Sequence, residues 1–160
     1  MAERRTETMT VNMGPQHPST HGVLRLVLEL DGETVIASSA TIGYLHTGIE
    51  KTAEQKKYQQ VIPLVERMDY LSAQSNSYAF CLSVEALLGL EMPDRVRAIR
   101  ILLVELQRIN SHLVWLGTQA MDLGASSIFL YCFREREMLL DIFELVSGQR
   151  MMTSYIRPGG

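Results

Sequence analysis

The sequence predicts an α+β protein that is mostly helical, with a small N-terminal antiparallel β unit feeding a bundle of long helices. Three observations predict it. Residues 23–30 (Val-Leu-Arg-Leu-Val-Leu-Glu-Leu) read as a strand, Asp31-Gly32 as a hairpin turn, and residues 35–42 as the returning strand. Past Gly43 the apolar spacing becomes helical. Two long helical segments then follow, each bounded by residues that start or stop helices. These features divide the chain at residues 1–43 and 44–160.

The elements follow in order. Residues 1–7 form a polar lead-in, and residues 8–12 alternate as a short strand. Gly14-Pro15-Gln16-His17-Pro18-Ser19-Thr20-His21-Gly22 is a loop, because proline fixes φ and removes a donor while glycine frees φ. Thr47 with Glu50 offers a capping box for a charged helix over residues 50–58, and Pro63 interrupts the segment after it. Residues 69–88, whose polar side chains are mostly small and neutral, predict a helix packed on most sides and closed by Gly89. Pro93 and Asp94 start a helix to Asp122, which Gly124 terminates. Its expected core stripe is Val96, Ile99, Leu102/Leu103, Leu106, Ile109, Leu113 and Leu116, with Trp115 beside it. Ser126 and Ser127 start the last helix, which ends at Ser147 before Gly148.

Composition excludes several classes. With 46% apolar residues the chain supports a packed core. Fifteen basic against eighteen acidic residues, with no basic run beyond a pair, leave no nucleic-acid footprint. Cys81 and Cys132 lie in separate apolar segments and read as reduced core residues of a cytoplasmic protein. No secretory signal and no membrane-spanning run is visible. The ending Tyr155-Ile156-Arg157-Pro158-Gly159-Gly160 is a turn sequence, expected to lead into a longer chain. Dinucleotide, P-loop and nucleophile-elbow motifs are all absent, so no dehydrogenase, kinase or hydrolase signature appears.

Residues that could carry chemistry remain few. The loop holding His17 and His21 reads either as a stiff mount for an imidazole or as a solvent-facing corner. Pro18 between them spoils the helical geometry that an HxxxH metal pair needs. Neither His46 nor His112 has ligand-type neighbours at a metal spacing. Asp122 has no Lys or Arg within eleven positions on either side, so it reads as a buried-acid candidate or as an ordinary helix-end carboxylate. Glu105, Arg108 and His112 mark a polar edge of their helix. Tyr70 offers a neutral O–H donor suited to a carbonyl oxygen, although packing is the commoner use of tyrosine. The nine methionines fit either adaptable packing or an apolar channel.

Gly14–Gly22 nevertheless resembles the signature of the 49 kDa-type (NuoD) family of NADH:quinone oxidoreductase, respiratory complex I. The likeness continues through Ile42-Gly43-Tyr44-Leu45-His46-Thr47-Gly48-Ile49-Glu50-Lys51 and Glu66-Arg67-Met68-Asp69-Tyr70. It extends to Asp122-Leu123-Gly124-Ala125, Phe133-Arg134-Glu135-Arg136-Glu137 and Tyr155-Ile156-Arg157. The resemblance implies the N-terminal portion of a protein whose helical bundle is similar to the large subunit of [NiFe] hydrogenases. It implies that His21 and Tyr70 hydrogen-bond the two ends of a quinone headgroup, with Asp122 behind His21. It also implies that quinone is the substrate, while NADH and the [4Fe–4S] cluster belong to partner subunits and no metal is bound by this chain. The implied partners are subunits B and C together with the H-type component of the membrane arm, on the cytoplasmic side of the cell membrane, in a proton-translocating complex.

Two rivals to that implication stand. One is a non-catalytic scaffold fragment of the same assembly. The other is a hydrogenase-like large subunit, disfavoured because Asp69 and Ser72 stand where that family's thiolate ligands would be.

Overall fold

The computed structural model describes residues 7–160. They fall into two compact units, one ending at Thr47 and one spanning Gly48–Gly160. The α+β class is the one expected.

The first unit is a three-stranded antiparallel sheet: β1 (Met9–Met13), β2 (Arg25–Asp31) and β3 (Thr34–Thr41), in that order. β2 begins at Arg25, two residues later than the apolar run suggests, because Val23 and Leu24 belong to the preceding loop. Asp31 pairs with Thr34, so the hairpin turns on Gly32-Glu33 rather than Asp31-Gly32. Gly32 has φ +61, as the first turn position of a primed hairpin requires. A register shift at Glu29/Leu30 leaves Ile36 as an extra residue in β3.

The loop between β1 and β2 contains one turn of 3₁₀ helix (Pro18–Thr20), with Pro18 in its first turn. Its anchor is Thr20, the buried residue of this unit, whose Oγ1 donates to the carbonyls of His17 (2.9 Å) and Pro15 (3.3 Å). Gly14 lies at φ +88, and a Cβ there would stand 2.0 Å from the Leu24 carbonyl oxygen and 2.7 Å from Thr20 Oγ1. Gly14→Ala therefore meets both a disfavoured φ and a fixed backbone atom. We expect it to cost about 3 kcal/mol or more locally, read as faster proteolysis at this loop in the full-length protein.

The second unit is helical: α1 (Ile49–Ala53), α2 (Tyr58–Val65), α3 (Ala73–Leu88), α4 (Asp94–Asp122) and α5 (Ser126–Ser147). α4 and α5 have the expected bounds, and α4 spans 29 residues, about 43 Å. α5 packs back against α4 after the tight corner at 123–125. Gly117 admits this approach, since a Cβ there would stand 3.2 Å from the Cβ of Cys132. Leu103, Leu140 and Phe143 form one buried cluster, and Cys81, Val104 and Ile156 another.

Four expectations need correction. The Thr47–Glu50 capping box does not form: Gly48 in the left-handed region caps α1, which stops at Ala53. A second start follows at Lys57, whose backbone N–H donates to Gln60 Oε1. Pro63 lies inside α2 rather than breaking it, and the helix ends two residues later. α3 starts at Ala73, because Asp69 Oδ1 accepts from Leu71 N–H and folds residues 69–72 into a turn. It buries one face only, leaving Leu82, Leu87 and Leu88 exposed. In α4 the buried face is carried by Arg100, Leu103, Val104, Gln107, Asn110, Gly117 and Ala120, whereas Leu102, Ile109, Leu116 and Trp115 are exposed.

Candidate functional site

In the first unit the 3₁₀ turn presents His21. His17 caps that turn: its Nδ1 accepts from Ser19 N–H (3.2 Å) and lies 2.7 Å from Ser19 Oγ. That commits His17 to structure. His21 follows at the end of the turn, exposed, with φ +54 and its N–H donated to the Pro18 carbonyl. Only His21 and Ser154 among the described non-glycine residues have positive φ. Such backbone is sparsely populated by L side chains and persists where the surroundings hold it. Here buried Thr20 and tightly fitted Gly14 hold it.

In the second unit Tyr70 stands on the turn between α2 and α3, with 55% of its surface exposed. The turn is pinned on three sides. Asn76 Nδ2 donates to the Asp69 carbonyl (3.1 Å), Ser72 N–H donates to the same carbonyl (2.9 Å), and Gln107 Nε2 of α4 donates to the Leu71 carbonyl (2.6 Å). Asp69 and Ser72, at the thiolate positions of the hydrogenase comparison, are occupied with shaping this turn.

Glu66 opens the same turn and is fully buried. Its Oε1 accepts from Ser77 Oγ (3.0 Å) and Ser154 N–H (2.7 Å), and its Oε2 from Ser154 Oγ (2.9 Å). The strained Ser154 backbone, at φ +42, is thus held by this carboxyl. Sequence reasoning assigns Glu66 no role. Its partner lies 88 positions away, and no local pattern signals such a pair.

Asp122 is the last residue of α4, at the α4–α5 corner, which Gly124 N–H→Met121 and Ala125 N–H→Ala120 hydrogen bonds close. It is exposed in this chain, which corrects the buried-acid reading. A carboxylate in the last helical turn faces the negative end of the dipole, so a cationic partner is favoured there. Glu105 and Arg108 form an ion pair at 2.9 Å on the exposed side of α4, where His112 is exposed as well.

Metal-ligating chemistry is poorly served. Among the described residues no three His, Cys, Asp or Glu side chains are grouped as a metal ion needs. Cys81 donates its thiol to the Ile156 carbonyl, and burial pushes it up to about 11, away from the thiolate that iron–sulfur ligation uses. Cys132 packs against Gly117. Nor is any helix among the described residues long and apolar enough to cross a membrane.

Comparison with known proteins shows what this framework is similar to. The family described as respiratory-chain NADH dehydrogenase, 49 Kd subunit, matches residues 122–160. The second NADH-quinone oxidoreductase D-subunit of Koribacter versatilis is 68% identical over 96% of this chain, and that of Chloroflexus aurantiacus 67% identical over 98%. The NADH-quinone oxidoreductase D-subunit of Trichlorobacter lovleyi is 54% identical over 96%. The chain spans 38 to 40% of the length of these relatives. Over nearly its whole length, then, the chain is similar to part of the 49 kDa, D-type subunits of the respiratory-chain NADH dehydrogenases.

Proposed function

We propose that this chain carries the quinone-facing residues of an NADH:quinone oxidoreductase: His21 and Tyr70 as donors to the two quinone oxygens, and Asp122 as the charge behind His21. The observation that carries the reading is the His21 backbone. A non-glycine residue is held at φ +54 by a buried threonine and a tightly fitted glycine, in the segment where relatives named for quinone oxidoreduction are matched. Strain of that kind marks positions where a side chain must be presented in one direction.

The chemistry asks for two opposed donors. Reduction of a quinone to a quinol takes two electrons and two protons, and negative charge develops on two oxygens at opposite ends of the ring. The Tyr70 hydroxyl supplies a hydrogen bond and a proton to one oxygen. The His21 imidazole supplies the other. Donors fixed before the charge develops are worth more than donors that must reorganise. Asp122, placed where a cation is favoured, compensates the charge on His21. Electrons come from an iron–sulfur cluster held by a partner protein. Subunits B, C and H, on the cytoplasmic face of the membrane, complete the proton-translocating assembly, with NADH as the distant donor.

Asp122→Asn tests the charge arrangement in the assembled enzyme. Quinone reduction should fall at least about tenfold while NADH still reduces the iron–sulfur clusters, followed by electron paramagnetic resonance. Because asparagine relieves the clash with the helix dipole, misfolding is not the expected cause of the loss. Unchanged turnover would remove Asp122 from the mechanism.

A further inference from the structure

A second polar site lies in the helical unit, built around Arg136. This residue sits midway along α5 and is 6% exposed. Its Nε has no hydrogen-bond partner, and no carboxylate among the described residues pairs with its guanidinium. The neighbouring Glu137 is committed to Arg150, which also reaches Asp141. The face of Phe133 lies 5.7 Å from the guanidinium carbon, a cation–π contact that attracts the charge but offers no hydrogen-bond acceptor. Burial accordingly pulls the Arg136 guanidinium below its ordinary range.

Thr153, also 6% exposed, faces the same difficulty: its Oγ1 is buried without a partner. Both residues line one open cleft of about 1030 Å³. Arg67, Arg150 and Arg157 line it too, against two carboxylates, Glu137 and Glu144. Arg67 and Arg157 spend donors on backbone carbonyls, Pro63 at 2.6 Å and Ser154 at 3.0 Å, so their charges remain uncompensated within the unit.

We propose that this cleft receives a carboxylate side chain from polypeptide outside these 160 residues, held in a fork by Arg136 with the Thr153 hydroxyl as a further donor. A planar guanidinium matches the two oxygens of a carboxylate. Burying such a cation unpaired is costly, whereas pairing it with hydrogen bonds is tolerated. The cleft is also large enough for a loop of chain rather than a lone ion. The matched relatives, more than twice as long as this chain, carry polypeptide of the kind that would supply it. The site stands whether or not His21 meets a quinone.

A cryo-EM reconstruction of the complete assembly decides the matter on the unaltered protein. The expected result is an Asp or Glu oxygen within about 3.2 Å of an Arg136 guanidinium nitrogen, its chain of origin read directly from the map. A phosphate, a lipid headgroup, water alone or an empty cleft at Arg136 would overturn the assignment. Arg136→Met in the same assembly gives an independent reading. Removing a paired guanidinium orphans the incoming carboxylate and should lower the thermal midpoint by several degrees. Removing an unpaired one should leave the midpoint unchanged or raise it, and that result overturns the proposal.

Discussion

Tyr70→Phe is expected to lower quinone reduction by the assembled enzyme about 100-fold or more, chiefly in kcat, with reduction of the iron–sulfur clusters unaffected. The substitution removes one hydroxyl and leaves the ring. Tyr70 is more than half exposed, and among the described residues its hydroxyl makes no hydrogen bond, so the fold loses nothing with it. The turn beneath is held by Asp69, Asn76 and Gln107, none of which depends on the phenol. Any loss is then the loss of a donor to the reacting oxygen, for which general acid catalysis sets a scale of about 10² to 10⁴. Steady-state kinetics with a short-chain quinone give the split between kcat and KM. A parallel Asn76→Ala variant, which loosens the turn but keeps the hydroxyl, should raise KM more than it lowers kcat.

Arg100→Met is expected to destabilise the helical unit by about 3–5 kcal/mol. Arg100 and Glu85 are both almost fully buried and form a two-pronged pair at 2.6 and 2.9 Å. The pair also holds the end of the chain: Arg100 donates to the Arg157 carbonyl (2.8 Å), and Glu85 accepts from Gly159 N–H (2.9 Å). Removing one partner leaves a buried carboxylate unpaired, which costs more than the pair itself contributes. The pH dependence should change sign with it. Hydrogen bonds from Arg100 hold Glu85 below its ordinary value of 4.5, against the opposing effect of burial. Its stabilisation is thus present above the unfolded-state value and lost as pH falls through the depressed folded one. In the variant, burial outweighs the remaining hydrogen bond from Gly159 N–H and raises Glu85, so stability should fall as pH rises above the unfolded-state value. Urea midpoints of the full-length protein between about pH 3 and 7 read both slopes, and parallel slopes in the two proteins would refute the argument.

Legibility varied with how local the controlling interaction was. α4 and α5 could be bounded from sequence because their punctuation is local: Pro93 and Asp94 at one end, Gly124, Ser126 and Gly148 elsewhere. The buried face of α4 could not. That helix carries two apolar faces, and the covered one includes Arg100 and Gln107, whose polar groups find Glu85 and the Leu71 carbonyl only in the folded chain. Periodicity counts apolar residues and so joined the exposed Leu102, Ile109 and Leu116 to Ile99, Leu103 and Leu106, which do pack in the core. The Thr47–Glu50 capping signal lost to Gly48, which takes the left-handed conformation that only glycine adopts cheaply. In the candidate site, His21 was visible because the Pro/Gly loop around it is local. Glu66 and Arg136 were not, since their significance rests on partners, or the lack of one, far along the chain.

Photoaffinity labelling with an azido-quinone tests the central claim most directly. Applied to the assembled enzyme and followed by peptide mass spectrometry, it should place the label on the peptides carrying His21 and Tyr70. Excess unlabelled quinone should suppress both. Labelling of neither peptide, or labelling that competing quinone does not suppress, would contradict the assignment of these residues to the quinone.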